Sequence, residues 1–405
     1  MFRMGEPEVE AVRKVLMSHQ LFRIGGELQE VNNFERELRE KMGVNHCLCL
    51  ASGTGALIAS LAALGVGPGD EVIVPGYTFI ATAIAALAVG AIPVVAEINE
   101  TMTLDMDDVE RKITPNTKCV IPVHIQGFPC DVERLMQLKE KYGFYVVEDA
   151  CQADGGSFHG KRLGTIGDCG AYSFNYFKII SAGEGGAMVT NDIDLYQRAI
   201  IYHDCGSAFW TYETPITAPL YTGTNMRVSE VTGAILRVQL TRLDGILADL
   251  RRVKRAITEA VADLPMLRVN PSNDLDGDCG VCLPFIFDDA VTAEKFEKLG
   301  FELYATSGTA SMLNRNMIAT NFTYRIHEDK EPNVISLLES GKINYVISTS
   351  ETGRKPALDS VKIRRKSVER SIACLTSVDT ANALVKCIAM DKTVDDLEMV
   401  DITKI

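Results

Sequence analysis

Short apolar runs alternate with helical spacings through the first half of the chain. The runs fall at 47–50, 71–74, 92–96, 119–123, 145–147, 170–174 and 187–190. Each is too short for a helix and lacks a polar face, so each reads as a strand buried on both sides. Strands alternating with helices predict a mostly parallel sheet sandwiched between helical layers. From 228 to 262 the pattern becomes one long helix, with Leu236, Leu240, Leu243 and Leu247 spaced along one side. The polar stretch Asn270-Pro271-Ser272-Asn273-Asp274-Leu275-Asp276-Gly277-Asp278 then breaks the chain. Beyond it the spacing predicts strands at 283–287, 301–305, 345–348 and 373–375. Helices are expected up to Leu299, from Ser311 and over 360–369, which makes a second, small parallel-sheet unit.

Bulk composition narrows the partners. With 405 residues, 46% of them hydrophobic, the chain can build more than one core. A net charge of −13 argues against nucleic acid or an anionic membrane as partner, since either needs a cationic face. The basic run Lys362-Ile363-Arg364-Arg365-Lys366, with Val361, Ile363 and Val368 at helical spacing, reads as the solvated side of an amphipathic helix. The start has no charged-then-apolar signal layout, and no stretch reaches the ~18 apolar residues of a membrane span, so a cytoplasmic protein is expected. Eleven cysteines without framework spacing read as reduced core thiols, and the dispersed histidines predict no metal site.

Three local patterns carry candidate chemistry. Lys178 lies between Tyr172-Ser173-Phe174-Asn175-Tyr176-Phe177 and Ile179-Ile180, just before Gly183-Glu184-Gly185-Gly186. An amine held from water on a buried segment gives up its proton readily and attacks carbonyls. The plainer reading is a lysine that extends from a strand end to solvent. Ser52-Gly53-Thr54-Gly55 joins a strand to a helix, where free N–H groups suit a phosphate, or where a tight turn alone is needed. Asp149 ends a strand at the point where open α/β sheets bind ligands. It either pairs with a protonated ring nitrogen or caps the segment that follows, with Gln152 on the same face if a helical turn begins there.

Taken in order, these segments resemble the DegT/DnrJ/EryC1/StrS sugar aminotransferases, a family of fold-type-I pyridoxal-phosphate enzymes, over about 3–290. The resemblance rests on Gly53-Thr54, Pro75-Gly76-Tyr77-Thr78-Phe79-Ile80-Ala81-Thr82, Pro122-Val123-His124 with Gly127 and Asp131, Glu148-Asp149-Ala150-Cys151-Gln152, and Ser173-Phe174 with Lys178 and the glycine run. It implies a three-layer αβα transferase fold with pyridoxal 5′-phosphate as cofactor. Lys178 would hold that cofactor as a Schiff base and shuttle the proton, and Asp149 would keep the pyridine nitrogen protonated. Gln152 would bond the phenolic oxygen and Phe79 would stack on the ring. Gly53, Thr54, Gly55 and Ser173 would bind the phosphate. Asn225, in Gly223-Thr224-Asn225-Met226-Arg227, would reach the phosphate of a neighbouring subunit, which implies a homodimer. His124 is left with two readings, a residue beside the site or a satisfied core histidine.

The likeness stops near 295. From Phe296 to Ile405 the chain resembles the methylglyoxal-synthase-like effector domain at the C-terminus of the carbamoyl-phosphate synthase large chain. Thr306-Ser307-Gly308-Thr309, Gly341-Lys342-Ile343-Asn344-Tyr345-Val346-Ile347-Ser348-Thr349 and Leu375-Thr376-Ser377-Val378-Asp379-Thr380 carry that likeness. It implies that Thr306, Gly308, Thr309, Arg325, Ser348 and Ser350 contact a nucleotide monophosphate or other phosphorylated effector. Arg325 stands where that family often has lysine. No Gly-Asp pair lies in 325–333, so the lyase reaction is not expected, and without an ATP-grasp segment carbamoyl phosphate cannot be made.

The expected organisation is therefore an aminotransferase large domain at 1–240, a connecting helix with a partial small lobe at 241–290, and a Rossmann-like effector domain at 291–405. Glutamate or glutamine would supply the amino group to a keto-sugar or keto-cyclitol. The alternatives are a non-catalytic fusion that binds the cofactor, a nucleotide effector or both, and an accidental fusion that retains neither function fully.

Overall fold

The computed structural model describes residues 4–206, 215–264, 267–287, 289, 303–306, 310, 320–328, 330–347, 354–370 and 372–375. The chain divides into two units, Met1–Ala293 and Glu294–Ile405.

In the first unit, α1 (Glu6–Ser18) and α2 (Glu30–Met42) lead into an alternating series. It runs β1 (His46–Leu50), α3 (Gly53–Ala63), β2 (Glu71–Pro75), α4 (Ala81–Ala88), β3 (Ile92–Ala96), α5 (Met106–Lys112), β4 (Thr117–Val120), α6 (Val132–Tyr142) and β5 (Tyr145–Asp149). A short ribbon, β6 (Ser157–Phe158) with β7 (Lys161–Arg162), precedes β8 (Cys169–Ser173), β9 (Gly186–Thr190) and α7 (Ile193–His203). The long α8 (Glu230–Val261) follows, and then β10 (Arg268–Val269) and β11 (Phe285–Ile286).

Among the described residues seven strands form one sheet in the order β1-β9-β8-β5-β4-β2-β3. Neighbours from β8 to β3 pair in parallel, and β9 runs antiparallel to both β8 and β1. The sheet is thus mostly parallel, as the alternation predicts, and each of the seven strands lies within three residues of its expected position. Both faces are covered except along the edge strand β3, expected to be buried on both sides, which leaves Ile92 and Val95 exposed because it has a neighbouring strand on one side alone. Along β1, Cys47 and Cys49 point into a core with Phe34 of α2 and Leu236, Leu240 and Leu243 of α8, while Leu48 and Leu50 point into the core beneath α3 and α7. Alternate residues of β2 divide the same way, Ile73 to one side and Val72 and Val74 to the other. Strands buried on both faces cannot show polar alternation, which is why they read as unbroken apolar runs.

Helix α8 is continuous through residue 240, and its leucines at the predicted spacing are buried. After it, β10 and β11 pair antiparallel, so the 283–287 segment belongs to the first unit. The loop between them straps onto the sheet domain: Cys279 N–H donates to Gly127 O at 3.1 Å, and Asn273 Nδ2 to Pro129 O at 2.9 Å.

In the second unit β12 (Leu303–Thr306) pairs in parallel with β13 (Thr320–Thr323), and β14 (Tyr345–Ile347) with β15 (Ala373–Leu375). Helices α9 (Val334–Glu339) and α10 (Arg354–Glu369) belong to the same unit. The expected helices before Leu299 and after Ser311 lie outside the described residues. Strand β13 went unpredicted because Thr320-Asn321-Phe322-Thr323 has a single strongly apolar residue. The basic run does lie on α10, with Lys362, Arg364 and Arg365 exposed, but the helix starts six residues earlier than expected. Val368 is 77% exposed, and the buried position on that turn is Ser367, whose hydroxyl bonds back to Ile363 O. Likewise Cys205 is exposed rather than a core thiol. No helix among the described residues is long and apolar enough to cross a membrane.

Candidate active site

The C-terminal ends of β1, β5 and β8 bring the candidate residues together, and the phosphate-type turn comes first. Ser52 caps α3 by accepting from Gly55 N–H at 3.0 Å, so Gly53 and Thr54 occupy the first helical turn. Their N–H groups have no partner within the helix. Gly55 differs from the expectation: its N–H is already used by the cap, so it shapes the turn. Gly53 must be glycine, because a Cβ there would lie 2.7 Å from both Cys151 Sγ and Ser173 Cβ. That close approach sets the Ser173 hydroxyl, at the end of β8, beside the helix start.

Asp149 is the last residue of β5 and is buried. Thr82 Oγ donates to its Oδ2 at 2.8 Å, and Cys151 N–H to its Oδ1 at 3.1 Å. Thr78 and Thr82 hydroxyls lie 2.8 Å apart, so a hydroxyl chain leads to the carboxylate. Thr82 also holds the backbone of Phe79, through the Phe79 carbonyl, just before α4. The Phe79 ring is 64% exposed and free to cover a ligand.

After Asp149 the chain makes turns rather than a helix, with Ala153 N–H bonded to Ala150 O and Gly156 N–H to Ala153 O. Gln152 is placed from across the site instead. Its Oε1 accepts from Gln126 N–H at 2.8 Å, so the amide donors are not used in that contact. Gln126 has φ 49°, the left-handed region that bulky residues avoid. The strap holds that turn, since Gly127 packs so closely on Cys279 that a Cβ would meet Cys279 Cβ at 2.6 Å.

The segment carrying Lys178 is not a buried strand. Strand β8 ends at Ser173, and Asn175 peels the chain off the sheet: its side chain accepts from Phe177 N–H and its carbonyl from Lys178 N–H. Phe177 is therefore 71% exposed and Lys178 half-buried. Its amine makes no hydrogen bond or ion pair among the described residues, yet its charge acts on Cys151, as does that of Asp149. Burial first, and then Asp149, push the Cys151 thiol well up. Cys151 therefore marks where the Gly53 turn, Asp149 and Lys178 meet.

His124 is a satisfied core histidine. Cys130 N–H donates to its Nδ1, so Nε2 carries the proton and donates to Glu148 at 3.0 Å. Asn225 is exposed, and its Oδ1 accepts from Arg227 N–H. Ala51 N–H bonds Met226 O, so this segment runs beside the chain's own Ser52–Gly55 turn. In the second unit, Thr306 ends β12, and Arg325 N–H bonds the Glu328 carboxylate at 2.7 Å. Gly308, Thr309, Ser348 and Ser350 lie outside the described residues.

Sequence reasoning missed Thr82 and Gln126. Thr82 stands within the Pro75-to-Thr82 motif, but only the meeting of α4 with β5 reveals its partner. A non-glycine residue beside Gly127 gives no local sign of positive φ.

The DegT/DnrJ/EryC1/StrS aminotransferase family matches residues 3–331, and an MGS-like domain matches 290–376. The 3-amino-5-hydroxybenzoate synthase of Amycolatopsis mediterranei (strain S699) is 37% identical over 246 residues, 59% of this chain and 61% of its own. The L-glutamine:2-deoxy-scyllo-inosose aminotransferase of Streptomyces kanamyceticus is 36% identical over 265 residues, 62% and 61% of the two chains. Among solved structures, the aminotransferase from Psychrobacter cryohalolentis superimposes with a TM-score of 0.62 at 34% identity, over 66% of this chain and 70% of that one. The chain spans about three fifths of the length of the curated relatives it matches. The sheet order with its single reversed strand, the site at the ends of β1, β5 and β8, and these matches converge: the chain belongs to the DegT/DnrJ/EryC1/StrS aminotransferase family.

Proposed function

We propose that this chain is a pyridoxal-phosphate-dependent aminotransferase that moves an amino group from glutamate or glutamine to a keto-sugar or keto-cyclitol. The observation that carries the reading is what surrounds Cys151: the Gly53 helix start packs against its sulfur, and the charges of the buried Asp149 and of Lys178 both act on it. The glutamine donor and cyclitol acceptor named for the Streptomyces kanamyceticus relative support the substrate classes.

The residues present fit the cofactor. Gly53 and Thr54 offer N–H groups at a helix start and Ser173 a hydroxyl, a donor set suited to a phosphate. Asp149, supplied with its own donors and withheld from water, is placed to hold a proton on a ring nitrogen. Gln152 has its amide donors free because Gln126 occupies its oxygen, so it can donate to a phenolic oxygen. Phe79 covers one ring face, and Lys178 supplies the amine and moves the proton. When bound, the cofactor supplies an electron sink for the bond broken at the amino-acid Cα. The strap of 270–284 preserves this arrangement by holding the Gln126 turn.

A homodimer completes the reading. Ile80, Ile84 and Leu87 form an exposed apolar stripe at helical spacing along α4, next to the exposed ring of Phe79. A second copy covering this stripe would also meet the exposed Asn225. The MGS-like match supports a second role, binding of a nucleotide monophosphate at 306–350.

The test is a half-reaction that needs no acceptor. Full-length chain loaded with pyridoxal phosphate is expected to convert to the pyridoxamine form on addition of glutamate or glutamine, and Lys178→Ala to lose that conversion. Undiminished conversion by Lys178→Ala would sink the assignment.

A further inference from the structure

Gln126 holds its backbone at φ 49°, where glycine or asparagine would rest at less cost. Strain of this kind persists where the residue is put to use. One use is the backbone N–H, which donates to Gln152 Oε1 at 2.8 Å. The side chain has a separate set of contacts. Its Nε2 donates to the Tyr77 hydroxyl at 3.4 Å, and its Oε1 is buried with no partner among the described residues.

Tyr77 lies in the loop between β2 and α4 and is 41% exposed. Its neighbour Thr78 begins the hydroxyl path through Thr82 to Asp149. Three loops therefore meet beside the site: the one after β2 brings Tyr77, the one after β4 brings Gln126, and the one after β5 brings Gln152. The pair is one hydrogen bond from Gln152, and Gln152 follows Cys151, on which Gly53, Asp149 and Lys178 converge.

Donors and acceptors decide what such a pair can bind. With the amide as placed, the phenol O–H is an unused donor and Gln126 Oε1 an unused acceptor. Turning the amide about its last torsion reverses both roles: the phenol donates to Oε1, and the amide hydrogens and a phenol lone pair are left over. In either setting a donor and an acceptor remain side by side. A hydroxyl donates and accepts, so it satisfies both. A carboxylate or phosphate only accepts, and it would leave the acceptor unmet and facing another oxygen.

We propose that Tyr77 and Gln126 form a subsite for a ring hydroxyl of the amino acceptor, and so select a polyhydroxylated ketone over a plain one. The subsite rests on the aminotransferase reading and narrows its acceptor. The 3.4 Å contact is long, as such contacts often are before a ligand draws them together.

The test reads a ratio between two ketones, so differences in loading or folding cancel. Full-length chain is loaded with pyridoxamine phosphate, which requires no amino donor. Conversion to the pyridoxal form is then followed with scyllo-inosose, a cyclohexanone bearing a hydroxyl on each remaining ring carbon, or with cyclohexanone itself. In Tyr77→Phe the ratio of the two second-order rate constants, inosose over cyclohexanone, is expected to fall about tenfold, the range for one lost hydrogen bond. The loss should appear in the half-saturating concentration of the inosose rather than in its limiting rate. Gln126→Met, which keeps the backbone N–H to Gln152, should lower the ratio as far. The double variant should lower it no further, because the two side chains act as one subsite.

An unchanged ratio in Tyr77→Phe overturns the proposal, and so does wild type that converts with neither ketone. An equal loss toward glutamine in Tyr77→Phe would place the donor's carboxylate at the pair and overturns the hydroxyl assignment. The glutamine half-reaction with an unchanged ratio keeps the aminotransferase reading and loses the subsite. The expected ratio change without a glutamine or glutamate half-reaction keeps the subsite and loses those donors.

Discussion

At the end of β5 the carboxylates of Glu148 and Asp149 are both met by donors. Glu148 accepts from the N–H groups of Gly164, Ile166 and Gly167 and from His124, and Asp149 from Thr82 and Cys151. Across the turn at 153–156, Asp154 is equally buried and has no such donor. The difference separates three uses of one chemical group. An acid enclosed by backbone donors is part of the scaffold, because those N–H groups would be orphaned without it. An acid held by one hydroxyl and one N–H keeps lone pairs for a ligand. An acid with neither bears the full cost of its burial.

The sharpest way to break this comparison is to alter the two β5 acids separately. Asp149→Asn keeps the shape and both donors' positions, so the chain should fold as before. The glutamate half-reaction is expected to fall about 10³-fold, the range for removing a positioned proton partner. Glu148→Ala should act in the opposite way. It strands three backbone N–H groups and the His124 ring, and is expected to cost about 3 kcal/mol of stability, read as a lower urea midpoint for the first unit. If Asp149→Asn destabilises as much as Glu148→Ala, both acids are scaffold and the division fails.

A smaller effect belongs to Thr82. Thr82→Val removes the hydroxyl that donates to Asp149 while conserving shape, and Asp149 is left with Cys151 N–H alone. The expected outcome is about 1 kcal/mol lost in stability and a roughly tenfold slower half-reaction, with Thr82→Ser recovering most of both. Unchanged kinetics in Thr82→Val would mean that Asp149 is positioned by β5 alone.

Much of this site could be read from the chain, and the rest was hidden for physical reasons. The seven strands showed as apolar runs because both faces of the sheet are covered, and Lys178, Asp149 and Gly53 stood out by residue type at strand ends. The Lys178 loop is only partly buried, because Phe177 looks like a core residue until the Asn175 turn carries it out to solvent, while Ile179 still packs against the core. Asp154 was overlooked for the converse reason. Ala153-Asp154-Gly155-Gly156 has the composition of an exposed turn, and only the packing of Gly155 and Gly156 against Leu243, Leu247, Leu163 and Cys279 shows it to be interior.

The smallest expected effect tests the orphan acid through stability. Burial raises the proton affinity of the Asp154 carboxyl in the folded chain above that of the unfolded chain. Below about pH 4 both states hold the proton and the burial carries no ionisation penalty. As pH rises, the unfolded chain ionises first and gains free energy that the folded chain lacks, so stability is lost progressively until the folded carboxyl ionises too. Asp154→Asn removes this titration. Its apparent Tm should therefore equal or fall below that of wild type near pH 4 and exceed it by about 2 °C near pH 8. Glu148, which is held by fixed donors, should give no such crossing when replaced by glutamine, since Glu148→Gln loses acceptor capacity toward Gly164, Ile166 and Gly167 and is expected to be the less stable chain at neutral pH. A parallel pH response of the two substitutions would place Asp154 in the scaffold with Glu148.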